Sequence, residues 1–239
     1  MACILNIETS TPVCSVALSA NGTILYDKAS FNGPSHASLV GVYVEEALEV
    51  MKKQSLKLDA VAVSSGPGSY TGLRIGVSTA KGLCFGFNIP LIGIPTLKIM
   101  ASAVIRQTNK PEEMLFCSML DARRMEVYAE IYDSHLHVLR EASADIVSDN
   151  TYSAYLNKQK VCFFGNGAAK CKEVITSDNA LFIDNIHPLA SEMIPLAEKA
   201  YENKTFEDVA YFEPFYLKEF QATIAKNKVL NEALEKGKH

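Results

Sequence analysis

Apolar positions along the chain come in short blocks whose period changes from one block to the next. CILNIE (3–8), VCSVALS (13–19) and TILYDKA (23–29) are dense in β-branched and apolar residues. They are separated by the turn-prone TSTP and by Asn21-Gly22, a dipeptide that tolerates the positive φ of a two-residue hairpin turn. The three blocks predict an antiparallel meander. From residue 35 to 53 the period becomes helical, with Val40, Val44, Ala47, Leu48 and Met51 on one stripe. DAVAVSS (59–65) reads as a buried strand, 71–86 as a helix, PLIGI (90–94) as a strand and 97–106 as a helix. The order is βββαβαβα.

The second half repeats that order. LFCSMLD (115–121), EVYAEIYD (126–133) and HVLREA (137–142) form a second meander, followed by a helix near 151–157, a strand at 161–165, a helix at 167–176, a strand at 181–184 and a helix at 189–201. Landmarks recur with it. Gly66-Pro67-Gly68 ends one strand and Gly165-Asn166-Gly167 its counterpart, while Glu8 closes the first strand of one half and Asp121 that of the other. The pattern predicts two copies of a mixed-sheet α/β unit with a cleft between them. Pro111-Glu112-Glu113 marks the boundary, giving lobes of residues 1–109 and 110–239. The stretch FEPFYLKEF is expected to pack back across a lobe ahead of a charged end.

The most distinctive stretch, SSGPGSYTGLRIG (64–76), satisfies neither the dinucleotide GxGxxG pattern nor the P-loop, which needs a lysine absent here. Two readings stay open for it. Glu8, Thr9, Ser10, Gly66, Gly68, Ser69, Tyr70, Thr71 and Gly72 can present backbone N–H groups to an anion at a helix N-terminus, or form a tight turn capped by Ser69 or Thr71. Past the turn, Gly72, Gly76 and Ala80 fall at i, i+4 and i+8. Each interior helix glycine costs about 1 kcal/mol relative to alanine, so the row implies that another backbone comes close. Arg74, Ser78 and Lys81 share the other face, which meets either water or a partner. The helix at 35–53 carries Leu39, Val42, Tyr43 and Glu46 beside its core stripe, an apolar arc too wide for a helix packed on one side only.

Composition narrows the function classes. The 239 residues are 48% hydrophobic and 21% charged with a formal charge of -4, which disfavours tight unaided binding to nucleic acid. Six scattered cysteines lack CxxC spacing and read as core thiols; with Glu8 placed where a signal peptide would be apolar, a cytoplasmic protein is expected. No apolar run is long enough to cross a membrane. The five histidines have no metal-ligand spacing, and no GxSxG elbow occurs. Glu8 and Asp121 are the remaining candidate pair, two carboxylates facing each other across the cleft as in metal-assisted phosphoryl transfer.

Taken in order, CILNIETSTPVCSVAL, SSGPGSYTGLRIG, IPLIGIPTL, DARRMEVYA and PFYL resemble the TsaB (YeaZ) family of the bacterial threonylcarbamoyladenosine pathway, from the first strand to about residue 217. The resemblance implies the two-lobed actin-like ATPase fold, related to ribonuclease H. It also implies a noncatalytic paralogue of TsaD, the enzyme that transfers threonylcarbamoyl to tRNA. Where TsaD carries an HxxxH metal site, the matching positions here are Thr96 and Met100, which cannot replace two imidazoles. Neither a catalytic residue nor a metal site is therefore expected in this chain. ATP or ADP with magnesium would belong to an assembled complex. The family pairs through the two helices at 35–53 and 71–86, with TsaD or with itself, and the ATPase TsaE joins. By resemblance the interface residues are Leu39, Val42, Tyr43, Glu46, Leu73, Arg74, Val77, Ser78 and Lys81. Any tRNA contact would come through the complex. The alternative reading is a small ATPase or kinase-like enzyme using Glu8, the glycine loop and Asp121; the old glycoprotease label of the superfamily has no metal site to support it.

Overall fold

A computed structural model describes residues 2–33 and 36–218. The first meander is β1 (Cys3–Glu8), β2 (Cys14–Ala20) and β3 (Thr23–Ser30), and it is followed by α1 (His36–Lys53), β4 (Ala60–Gly66), α2 (Tyr70–Phe87), β5 (Leu91–Pro95) and α3 (Thr96–Gln107). The second unit runs β6 (Met114–Asp121), β7 (Glu126–Tyr132), β8 (Val138–Ile146), α4 (Ser153–Leu156), β9 (Lys160–Phe164), β10 (Ala180–Ile183) and α5 (Ala190–Glu202). The sheets are ordered β3-β2-β1-β4-β5 and β8-β7-β6-β9-β10. In each, the first three strands are antiparallel neighbours and the last two join in parallel. This is one topology used twice, the duplicated actin-like, ribonuclease H-like arrangement.

Strand alternation sorts side chains to the two faces of the first sheet. Leu5, Ile7, Val16, Leu18, Val61 and Val63 meet the stripes of α1 and α2, which lie side by side. On the opposite face, Ile4, Ala60, Ala62, Ile92 and Ile94 pack against Ile99 of α3 and against Met193 and Ala197 of α5. α3 serves both sheets, because Leu97, Met100, Ala101 and Val104 pack against Phe116, Leu120, Cys162 and Phe164 of the second. The far face of that sheet is covered by Tyr152, Leu156, Cys171 and Ile175.

One expectation needs correction and one a qualification. The helix expected at 167–176 is a single 3-10 turn, Ala169–Cys171; Cys171 and Ile175 reach the core from turns that never close a regular helix. The division at residue 110 needs qualifying: it separates the strands of the two sheets, but the packing crosses it. α5 lies on the first sheet, tied by Ala190 N–H donating to Ser15 Oγ at 2.9 Å, and residues after it stay there: Glu207 pairs with Leu91 at the edge of β5, and Val209 and Phe212 join the core beneath α1 and α2. The expected return of the tail is thus present as far as residue 218, while the charged end lies outside the described residues. All six cysteines are buried and free. Among the described residues no helix is long and apolar enough to cross a membrane.

Candidate functional site

Residues 66–72 turn the chain from β4 into α2, and their neighbour is the β1–β2 turn. Ser69 N–H donates to Ser10 O at 2.7 Å. Ser69 is the N-cap of α2, its Oγ accepting from Gly72 N–H at 3.2 Å; of the two residues named for that task, Ser69 performs it. The glycine row is explained by the same contact. Thr9 Oγ1 donates to Gly72 O at 2.7 Å, and a Cβ on Gly72 would collide with Thr9 O, one on Gly76 with Thr9 Oγ1. The close backbone inferred from sequence is therefore the chain's own turn. The second lobe repeats the device: Gly66 and Gly165 have φ of +102° and +101° at matching strand ends.

Between the two turns lies a cleft of about 500 Å³, walled by Ser10, Thr11, Ser69 and Thr71 of one lobe and Asp121, Arg123 and Asn166 of the other. The two candidate carboxylates are not equivalent. Asp121 is exposed, ion-paired with Lys170, and accepts from Arg123 N–H at 3.0 Å. Glu8 is fully buried behind Ser10, whose N–H donates to its Oε1 at 2.6 Å. Burial pushes the Glu8 carboxyl up from 4.5 to about 7, against the lowering effect of hydrogen bonding from Ser10, Ser64 and Thr9. Oε2 is left without a hydrogen bond of good geometry. The two carboxyls are therefore not presented together: Asp121 stands at the cleft wall beside Lys170, whereas Glu8 is closed off from it by the Ser10 turn. Among the described residues no group of three His, Cys, Asp or Glu side chains could hold a metal. Thr96 and Met100 are both buried in the interior.

The residues assigned to a partner surface divide in two. Tyr43, Leu73 and Val77 are corrected: with 7%, 0% and 4% exposure they point into the core. Leu73 and Val77 share the buried face of α2 with Ala80 and Cys84, and Tyr43 flanks Val40 and Ala47 on the core side of α1. Val42 and Ser78 face outward, and Leu39 is half-buried. Glu46 pairs with Lys28 at 2.7 Å and accepts from Tyr26 at 2.6 Å. The basic residues of α2 are engaged by the chain's own tail. Lys81 donates to Ala210 O at 3.0 Å and Phe212 O at 3.2 Å, and Arg74 lies 4.5 Å from the Tyr70 ring and hydrogen-bonds Tyr216. One surface residue escaped sequence reasoning. Phe85, 86% exposed, stands four residues after Lys81 on the same face; its helical spacing from Ser78 and Lys81 was the available signal.

A family model described as "TsaD: tRNA N6-adenosine threonylcarbamoyltransferase" matches residues 31–226. The TsaB protein of Escherichia coli K12 is 29% identical over 90% of this chain and 94% of its own length. That of Haemophilus influenzae Rd is 30% identical over 90% and 93%. A solved structure from Pseudomonas aeruginosa, titled as a protein with similarity to peptidase YEAZ, superposes with a TM-score of 0.77 at 23% identity, covering 91% of this chain and all of the other. The last supports the fold, and the first three support the family. With its doubled topology, its glycine turns and these matches, the chain belongs to the TsaB family, within the wider group described by the threonylcarbamoyltransferase model.

Proposed function

We propose that this chain is a noncatalytic scaffold subunit in synthesis of threonylcarbamoyladenosine on tRNA, binding and stabilising TsaD and helping to recruit TsaE. Its relatives carry the name of that biosynthesis. The observation that carries the scaffold reading is the exposed surface of the paired helices: Val42 is 46% and Phe85 86% exposed on α1 and α2. The two helices lie side by side, so an exposed apolar side chain on each favours a partner surface there over a purely solvated face. A second copy of the chain would use the same surface, so homodimer and heterodimer compete by mass action.

Reconstitution tests the reading. tRNA modification by TsaD, TsaE and a threonylcarbamoyl-AMP synthase is expected to fall at least tenfold when this chain is omitted; an unchanged rate overturns the proposal. Val42→Asp combined with Phe85→Asp is expected to weaken pairing with TsaD at least tenfold while leaving the thermal midpoint within a few degrees, since both side chains are solvated in the isolated chain. Cleft size favours one competing reading, a nucleotide-binding enzyme, because about 500 Å³ is enough for a small ligand. Micromolar ATP affinity with magnesium-dependent turnover by the isolated chain would establish that alternative.

A further inference from the structure

The segment that leaves α5 is held in two different ways along its length. Up to Phe215 it is anchored by backbone and core. Glu207 N–H donates to Leu91 O at 2.9 Å, the Phe212 ring lies over Gly93, where a side chain would crowd it, and Phe215 N–H donates to Ser65 O at 2.7 Å. Gly66 gives the Phe215 carbonyl its room. Beyond Phe215 the contacts recorded among the described residues are made by side chains. The Tyr216 ring stands 4.9 Å from the Tyr70 ring, Arg74 reaches Tyr216, and Lys218 pairs with Glu126 of the second lobe. Tyr216, Leu217 and Lys218 also line the cleft, alongside Ser69 and Asp121.

We propose that residues 216–218 are a gate across the inter-lobe cleft, hinged at Phe215 and latched to the first lobe through Tyr70 and Arg74 and to the second through Glu126. The anchor explains the hinge, since the backbone is fixed at the Phe215–Ser65 hydrogen bond. The latch is built to open. A solvated ion pair is weak and screened by salt, and a ring pair with one guanidinium over it is a modest attraction. With the gate shut, the two lobes are bridged and the tail forms part of the cleft wall; with it open, the bridge is lost. Arg74 is the lever, because it lies on the outer face of α2 and outside the cleft lining, yet holds a residue of the gate. A group that captured Arg74 from outside would release Tyr216, so events on α2 and in the cleft are coupled. The gate requires only this chain, and its test is independent of whether TsaD is the partner.

A label on the gate itself reads its position. Spin labels placed at Leu217→Cys, within the gate, and at Ser78→Cys, exposed on α2, are measured in the full chain diluted with unlabelled protein. The native thiols stay silent: all are buried, and burial pushes Cys3, Cys14 and Cys84 up to about 11. A narrow distance distribution is expected for the labelled parent. Tyr216→Ala, Arg74→Ala and Lys218→Glu should each broaden it by several ångströms, and adding Glu126→Lys to Lys218→Glu should narrow it again. A distribution unmoved by all three single variants overturns the gate. A charge-swapped pair that stays as broad as Lys218→Glu overturns the Glu126 latch and the proposal with it.

Discussion

Glu8 is the residue at which local sequence and buried environment disagree most. A carboxyl at the end of a strand reads as a cleft acid, but the Ser10 turn folds over it and shuts it from water. The sign of its effect follows. In the unfolded chain it ionises near 4.5 and in the folded chain near 7, so its favourable protonated state is fully available below about 4.5 and stability is lost as pH rises through about 7. The full shift corresponds to about 3 kcal/mol. Glu8→Gln keeps the acceptor for Ser10 N–H and removes the titration. It is expected to be more stable than the parent at pH 8, by up to about 3 kcal/mol in urea unfolding, with the gap closing towards pH 4.5. Equal gains at both pH values would show that Glu8 is ionised in the fold. The glycines were more legible than the acid: Gly72 and Gly76 announce a close backbone by their cost alone, and Thr9 supplies it. That the visitor would come from the same chain was hidden, because a small-residue row says how near a neighbour comes and nothing about whose it is.

At the scale of elements, periodicity located strands and helices well wherever an apolar face is continuous, and it failed at 169–171, where core contacts come from turns. The period places Tyr43 beside the core stripe of α1, whereas the resemblance alone places Leu73 and Val77 on a partner surface. All three are buried, Leu73 and Val77 in line with Ala80 and Cys84, so helical position decides α2 and only Tyr43, at the flank of its stripe, depends on the width of the sheet beneath. The consequence is a pair of aspartates with opposite outcomes. Val77→Asp puts an unpaired charge among Leu5, Val63 and Ala80 and is expected to cost more than about 4 kcal/mol. Val42→Asp, on solvated α1 surface, should cost less than about 0.5 kcal/mol. Chemical denaturation of the two variants checks this, and similar costs would mean that the helices are rotated from the orientation described. A pairing defect in Val77→Asp would therefore report unfolding, whereas one in Val42→Asp would report the surface.

For the whole molecule, the internal repeat was visible because both halves carry the same strand order and the same glycine turns, whereas the physical division between them was not. The chain crosses back: α5, from the second half, supplies Met193 and Ala197 to cover Ile4, Ala62 and Ile92 of the first sheet, and α3, from the first half, packs Leu97, Met100 and Val104 on the second. Uncovering several such side chains, each worth roughly 1.5–3 kcal/mol when fully buried, approaches the entire stability of a domain, about 5–15 kcal/mol. A fragment of residues 1–109 is thus expected to lack a cooperative transition, even though it contains every strand of its sheet and both outer helices. Amide dispersion in a two-dimensional spectrum and the shape of its thermal unfolding measure this. A well-dispersed fragment with a sharp transition would make the lobes autonomous and α5 a dispensable cover; a collapsed, poorly dispersed one would mean that the duplicated halves fold as a single interlocked unit, with movement between them confined to the cleft and its gate.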